Sequence, residues 1–276
     1  MKINEWSDVG IMAQIKVVVS GACGRMGREV VKTVLKDSEL ELVGAVDGIN
    51  VGKDIGNVVG GEPVGIAIRT NLAETLEQSR AEVMVDFTTP KVVKENIKIA
   101  LKCGVHGVVG TTGLGTETLE ELERLSLKQR VNLLIAPNFA VGALLMMRFA
   151  AIAAQYMPQV EIIELHHDQK LDAPSGTAIK TAEMIMAARG AEAEARLGEE
   201  KIKGARGGEL GGIHLHSVRL PGFIAHQEVI FGGEGQTLTI RHDSLSRESF
   251  MPGVVLGIKK IKDNPGLTYG LDKFLF

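Results

Sequence analysis

The densest grouping of chemically capable side chains is Glu164-Leu165-His166-His167-Asp168-Gln169-Lys170-Leu171-Asp172-Ala173-Pro174-Ser175-Gly176-Thr177-Ala178. His166, His167 and Lys170 concentrate positive charge on a chain whose net charge is −3. Such a patch suits a small polycarboxylate, because a local cluster supplies the field that the whole protein lacks. Ser175-Gly176-Thr177 stands where a helix is expected to begin, and the free N–H groups and dipole of a helix start offer a second place for a carboxylate. His166, His167, Asp168 and Asp172 are also metal-ligand types, but neighbours on an extended chain point to opposite sides, which works against joint chelation. Ser175 lacks the G-x-S-x-G frame of a hydrolase nucleophile. A plainer reading makes Ser175 or Thr177 a helix cap and leaves the histidines on the surface. His214 and His216 share one face of an expected strand, as a metal pair or as ordinary strand residues. No metal site is expected.

A second constellation is Gly21-Ala22-Cys23-Gly24-Arg25-Met26-Gly27, with glycines at every third position, directly after a strand-like run and at a helix start. Absent side chains let such a turn approach a pyrophosphate, whose charge the helix N-terminus stabilises. Asp47 follows Gly27 by twenty residues, at the end of the next strand, where a carboxylate can accept from ribose hydroxyls. Together they point to a dinucleotide. The alternatives are a turn whose glycines serve only packing, and a redox role for Cys23, which has no cysteine nearby. Asp47 is followed by Gly48, with no arginine to neutralise a 2′-phosphate, so NADH is expected to serve at least as well as NADPH; Lys53 or Arg25 are the cations that can reverse this. Gly110-Thr111-Thr112-Gly113 and Ala136-Pro137-Asn138-Phe139 end later strands, where ligands collect in open α/β sheets, although both are also ordinary turn sequences.

The elements that must position these groups follow from periodicity. Apolar runs at 15–19, 42–46, 83–87, 105–109 and 131–136 alternate with helix-compatible stretches at 25–35, 72–78, 91–102 and 116–128. This pattern predicts a parallel sheet with helices on both faces. Past Pro137 come an apolar helix over 142–156, a strand over 160–165 and a helix over 177–189, then strand-like runs at 213–220, 223–231 and 236–241 broken by glycine turns. The fold class expected is α/β, a doubly wound parallel sheet plus a second α+β domain with a mixed, largely antiparallel sheet. A last helix is expected over 249–261, and residues 190–212 read as a mobile loop, a solvated connection or a lid. Residues 1–13 read as an extension ahead of the fold.

With 276 residues, 45% hydrophobic, the chain is not disordered, and its 34 acidic against 31 basic residues give no broad field for nucleic acid or anionic lipid. No apolar run is long enough to span a membrane. Two cysteines fit a reducing compartment, so a cytoplasmic location is expected.

The residues quoted so far closely resemble the 4-hydroxy-tetrahydrodipicolinate reductase (dihydrodipicolinate reductase) family. Gly21–Gly27 carries part of the likeness; Glu164–Ala178 matches the E-x-H-H-x-x-K-x-D-A-P-S-G-T-A pattern at every specified position, and the likeness extends from about Gln14 to the C-terminus. The resemblance implies a Rossmann-type dinucleotide-binding domain over 14–137 and 249–276, and a substrate-binding and oligomerisation domain over 138–248 that forms a homotetramer. It implies reduction by NADH or NADPH of a cyclic unsaturated dicarboxylate, formed by loss of water, in the diaminopimelate route to lysine. By carry-over His166 and Lys170 are the acid/base pair, with Lys170 the stronger candidate for final proton donor, and His167, Gly176 and Thr177 touch substrate. Gly21, Ala22, Cys23, Gly24, Arg25, Met26, Asp47, Gly110, Thr111, Thr112, Ala136, Pro137, Asn138 and Phe139 hold the nucleotide. Gly48 departs from members with arginine after the acid, which bears on nucleotide preference and not on the reaction. The alternatives are another two-domain NAD(P)-dependent dehydrogenase, of aspartate or homoserine, and a non-catalytic NAD(P) sensor.

Overall fold

A computed structural model describes residues 13–189 and 199–276. They divide into two compact units, the first running to Phe139 and resuming over Gly253–Phe276, the second comprising Ala140–Pro252. The extension expected over residues 1–13 lies, except for residue 13, outside the described residues.

In the first unit β1 (Ile15–Ser20), α1 (Arg25–Lys36), β2 (Leu40–Val46), α2 (Ile55–Val58), β3 (Ile68–Arg69), α3 (Leu72–Ser79), β4 (Val83–Asp86), α4 (Val93–Lys102), β5 (His106–Val109), α5 (Thr116–Gln129) and β6 (Leu133–Ile135) follow in order. Val17, Val18 and Val19 are all fully buried, as a strand covered on both faces requires. Every strand pairing in this sheet is parallel. The strand order β3-β2-β1-β4-β5-β6 steps outward one way from β1 and then the other way from β4, so the topological switch lies between β1 and β4. The carboxyl ends of these two strands are Ser20 and Asp86.

The second unit begins with α6 (Val141–Ala154), whose buried Ala143, Ala150, Ala151 and Ala154 let it lie close to its neighbours. It continues through β7 (Gln159–His166), α7 (Gly176–Arg189), β8 (Gly208–Leu210), β9 (Ile213–Arg219), β10 (Ala225–Gly233) and β11 (Gln236–Ser244). The five strands run in the order β11-β10-β7-β9-β8, and only the β7–β9 pairing is parallel. Along β7, Val160, Ile162 and Glu164 are buried while Glu161, Ile163 and Leu165 between them are half-buried. Glu164 therefore sits on the core face of its strand.

Of the loop expected over 190–212, residues 190–198 lie outside the described residues, and Gly208–Leu210 forms a strand instead. Gly211 and Gly212, both at positive φ, supply the two-residue hairpin turn into β9. The chain then enters α8 (Met251–Lys260), adds β12 (Leu267–Tyr269) to the edge of the first sheet beside β6, and ends in α9 (Asp272–Leu275).

Candidate active site

The glycine turn joins β1 to α1, and its three glycines do three different things. Gly21 holds φ +79° and lies so near the chain after β4 that a Cβ would stand 2.6 Å from the Phe87 carbonyl oxygen. A Cβ on Gly27 would lie 2.0 Å from the Gly21 carbonyl oxygen, so this position sets how closely α1 meets the turn. At Gly24 the nearest atom is 3.2 Å away, again Gly21 O, and no side chain caps the helix that Gly24 begins. The turn's own amides are already used: Gly21 and Ala22 donate to Val46 O, Gly24 to Gly21 O, and Cys23 to Asp47 Oδ2 at 2.8 Å. Donors for an anion therefore come from the uncapped first turn of α1 rather than from the glycine turn itself. Asp47, one residue past β2, spends Oδ2 on Cys23 and Oδ1 on the Ile49 amide at 3.1 Å, which locks the carboxylate against the turn. The Cys23 thiol is buried and hydrogen-bonds Ile49 O; burial and then the Asp47 charge push its pKa up, the opposite of a reactive thiolate.

Across the switch point stands Asp86, fully buried at the end of β4, which sequence reasoning missed. Its Oδ1 accepts from the Thr88 amide (3.1 Å), the Thr88 hydroxyl (2.8 Å) and the Thr111 hydroxyl (2.8 Å), and its Oδ2 from Asn96 Nδ2 at 2.8 Å. One carboxylate thus ties the turn after β4 to Gly110-Thr111-Thr112 after β5. A Cβ at Gly110 would stand 2.0 Å from the Phe87 ring and force that ring to move, and the ring lies 5.7 Å from the ring of Phe139. Ala136 and Phe139 are buried and Thr112 is exposed. The glycine turn, Asp47, Gly110–Thr112 and Ala136–Phe139 all fall at carboxyl ends of strands of one sheet, a placement that fits a dinucleotide lying across the switch point.

In the second unit Glu164 is the hub, fully buried. Its Oε2 meets His166 Nδ1 and takes Arg219 NH1 at 2.8 Å; its Oε1 takes Arg219 NH2 at 2.7 Å and the Ser175 amide at 3.2 Å. Burial alone drives a carboxylate's pKa up, but hydrogen bonds from His166, Arg219 and Ser217 outweigh it and hold Glu164 at about 2. Arg219 lies in register opposite His166 and also donates to Asp172 O at 2.7 Å. The Asp172 carboxylate grips Lys170 Nζ at 2.8 Å through both oxygens. Ser175 Oγ accepts from Ala178 N, capping α7, while Gly176 is exposed and Thr177 half-buried in its first turn. His167 is exposed. Contacts therefore run continuously from Lys170 through Asp172, Arg219 and Glu164 to His166 and the start of α7. Sequence alone assigns no role to Glu164 or Arg219 and weighs Asp172 only as a metal-ligand type; an acid at an inward-facing position of a period-two strand is the available signal, since a charge there requires a partner. His216 pairs with Glu161 at 2.8 Å, and among the described residues no group of three or more His, Cys, Asp or Glu is placed to hold a metal ion.

A glycine turn at the switch point of a parallel sheet, with an acid following the next strand, is the arrangement of nucleotide-binding two-unit proteins. Residues 15–139 match the family described as dihydrodipicolinate reductase, N-terminus, and residues 142–275 the family described as dihydrodipicolinate reductase, C-terminus. The chain belongs to the dihydrodipicolinate reductase family. It is 56% identical to a 4-hydroxy-tetrahydrodipicolinate reductase of Desulfitobacterium hafniense over 96% of this chain and 100% of that one, and 51% identical to that of Moorella thermoacetica over 96% and 99%. A dipicolinate-bound dihydrodipicolinate reductase from Paenisporosarcina sp. TG-14 superposes with a TM-score of 0.84 at 44% identity, covering 94% of this chain and 99% of that one. Membership makes the chain an NAD(P)H-dependent oxidoreductase whose first unit holds a pyridine nucleotide.

Proposed function

We propose that the chain reduces 4-hydroxy-tetrahydrodipicolinate, after loss of water, to tetrahydrodipicolinate with NADH or NADPH, in the diaminopimelate route to lysine. The observation that carries this reading is the continuous set of contacts joining Lys170, Asp172, Arg219, Glu164 and His166 to the start of α7. It gathers two proton-carrying side chains and a helix N-terminus in one unit, which suits a small ring bearing two carboxylates. Dipicolinate, the ligand of the Paenisporosarcina relative, is such a ring.

Gly21, Ala22, Cys23, Gly24, Arg25, Met26 and Asp47 are assigned to the adenosine and pyrophosphate end of the nucleotide, and Gly110, Thr111, Thr112, Ala136, Pro137, Asn138 and Phe139 to its nicotinamide end. The bound nucleotide supplies a hydride. His167, Gly176 and Thr177 bind the substrate carboxylates, which fixes the ring for attack. A ring that has gained a hydride must take up one proton, and a cation held nearby lowers that barrier. Lys170 Nζ and His166 Nε2 are the two candidates to deliver it. The carboxylate of Asp47 and the small Gly48 favour NADH, or equal use of both nucleotides, because a 2′-phosphate would meet negative charge there. The homotetramer assembled by the second unit is carried over from the family resemblance, and half-buried Ile163, Leu165, Val218 and Ile230 share a sheet face with Glu161, His216 and Glu228 that such an assembly would cover. Two unpaired cysteines support a cytoplasmic location.

The direct test follows NADH absorbance at fixed enzyme with the substrate made in situ by the preceding synthase. Loss of absorbance that needs both the synthase product and this enzyme is expected. Oxidation of NADH without that product, or none with it, would overturn the assignment.

A further inference from the structure

His166 has two ring nitrogens, and only one of them can face a substrate. Its Nδ1 is engaged by Glu164 Oε2. A carboxylate beside one imidazole nitrogen keeps a proton there, so the proton that is gained and lost resides on the other nitrogen. Glu164 cannot turn away from this duty, because its second oxygen is held by Arg219 NH2 and the Ser175 amide, and Arg219 NH1 shares the first. Arg219 is itself tied by Val218 O and Asp172 O.

Resting on the reading of His166 as an acid/base group, we propose that Glu164, clamped by Arg219, is a positioning residue that makes Nε2 the working nitrogen of His166. A purely structural acid–arginine pair would do as well anywhere in a core and can usually be exchanged for a neutral pair without loss. This pair differs in its other partners, a ring nitrogen on the next inward position of β7 and the amide of the residue that caps α7, whose following residues are Gly176 and Thr177. The arginine cancels the charge of the buried acid, so the acid can orient the ring without leaving the site with an uncompensated negative charge. The acid thereby serves geometry more than field. The charged and titratable groups around the ring are Glu164 by contact and Arg219 through Glu164 and in register opposite, with His167, Asp168, Lys170 and Asp172 on the chain that follows it.

The test compares Glu164→Gln with the double variant Glu164→Gln/Arg219→Met, reading urea-melt stability, NADH affinity, substrate KM and kcat. The single variant leaves a half-buried guanidinium without its anion; the double variant removes both charges. The expected result is that the double variant regains most of the lost stability and binds NADH normally, yet its kcat stays about 10²-fold low with little change in KM. Recovery of kcat in step with stability would overturn the proposal. Should the double variant fail to fold, nitrogen-15 histidine spectra of the unaltered enzyme decide the matter, with the His166 signals identified by their loss in His166→Asn. At high pH His166 is expected as the Nδ1–H tautomer, and the Nε2–H tautomer would overturn the role of Glu164. Wild-type kcat in His166→Asn would instead remove the underlying reading of His166, a separate failure.

Discussion

Lys170 Nζ lies 2.8 Å from each carboxylate oxygen of Asp172, and the acid is largely exposed, 65% of its side chain meeting solvent. An exposed ion pair is worth about 0–1 kcal/mol, so a substrate carboxylate can take the ammonium from Asp172 at little net cost. Lys170 is therefore held ready rather than locked. Lys170→Ala and His166→Ala are each expected to lower kcat about 10²- to 10⁴-fold while NADH binding, measured by fluorescence titration, stays unchanged. Because both act on one proton transfer, the double variant should fall well short of the product of the two losses. Near-normal kcat in both single variants would remove these residues from the chemistry.

Nucleotide preference can be rewritten at Gly48. A Cβ built there meets nothing within 4 Å, and the residue lies beside the Asp47 carboxylate that is fixed on Cys23 and Ile49. Gly48→Arg thus starts from an exposed position whose Cβ is unobstructed. A hydrogen bond to a charged phosphate is worth about 1.5–3 kcal/mol, so kcat/KM with NADPH should rise about tenfold or more relative to NADH. The unaltered enzyme should use NADH at least as well as NADPH. A strong NADPH preference before substitution would show that another cation, such as the exposed Arg25, already meets the phosphate.

Long β-branched and apolar runs made the central strands of the first sheet and the helices between them readable, because their periodicity repeats over many residues. The edge strands β3 and β12 were not readable: two and three residues carry no period, and each exists because the strand beside it, β2 or β6, offers a free edge. β8 was hidden by its glycine-rich surroundings, although Gly211-Gly212 is itself a hairpin signal. The motif segments were legible since their residue types are contiguous. The partners were not, since Arg219 lies 55 positions from Glu164 and Thr111 lies 25 from Asp86, and only the registers of β7 with β9 and of β4 with β5 bring them together.

Asp86 provides a test of how the first unit holds its ligand-facing turns. Asp86→Ala leaves the buried Thr111 hydroxyl and the half-buried Thr88 hydroxyl without their acceptor, while the Asn96 amide keeps only Ser20 Oγ at 3.3 Å. A buried donor left so costs about 1–3 kcal/mol, and a loss of about 2 kcal/mol is expected in urea melts. With the Gly110–Thr112 turn released from β4, the dissociation constant for NADH should rise about tenfold, on the order of 1.4 kcal/mol. Wild-type NADH affinity in a folded Asp86→Ala protein would mean that the turn keeps its place without the carboxylate.

Glu164 makes a pH-dependent contribution to stability whose direction follows from its depressed pKa. Held at about 2 in the fold against a usual value of 4.5, it stabilises the native state fully above the higher figure and loses that stabilisation as pH falls toward the lower one. Across this window the unfolded chain takes up the proton that the native acid refuses, whereas Glu164→Gln has no such proton in either state. At pH 7 the variant should be less stable by about 3 kcal/mol, the low end for breaking a buried ion pair from one side, because the arginine left behind is half-buried. At pH 3 the gap between the two proteins should have narrowed by about 2 kcal/mol, because only the unaltered protein still has this proton to gain. Other carboxylates titrate over the same range in both proteins and cancel in the comparison. Urea melts of the pair at the two pH values measure the gap, and a difference that does not change with pH would show that the arginine and histidine do not hold the acid ionised.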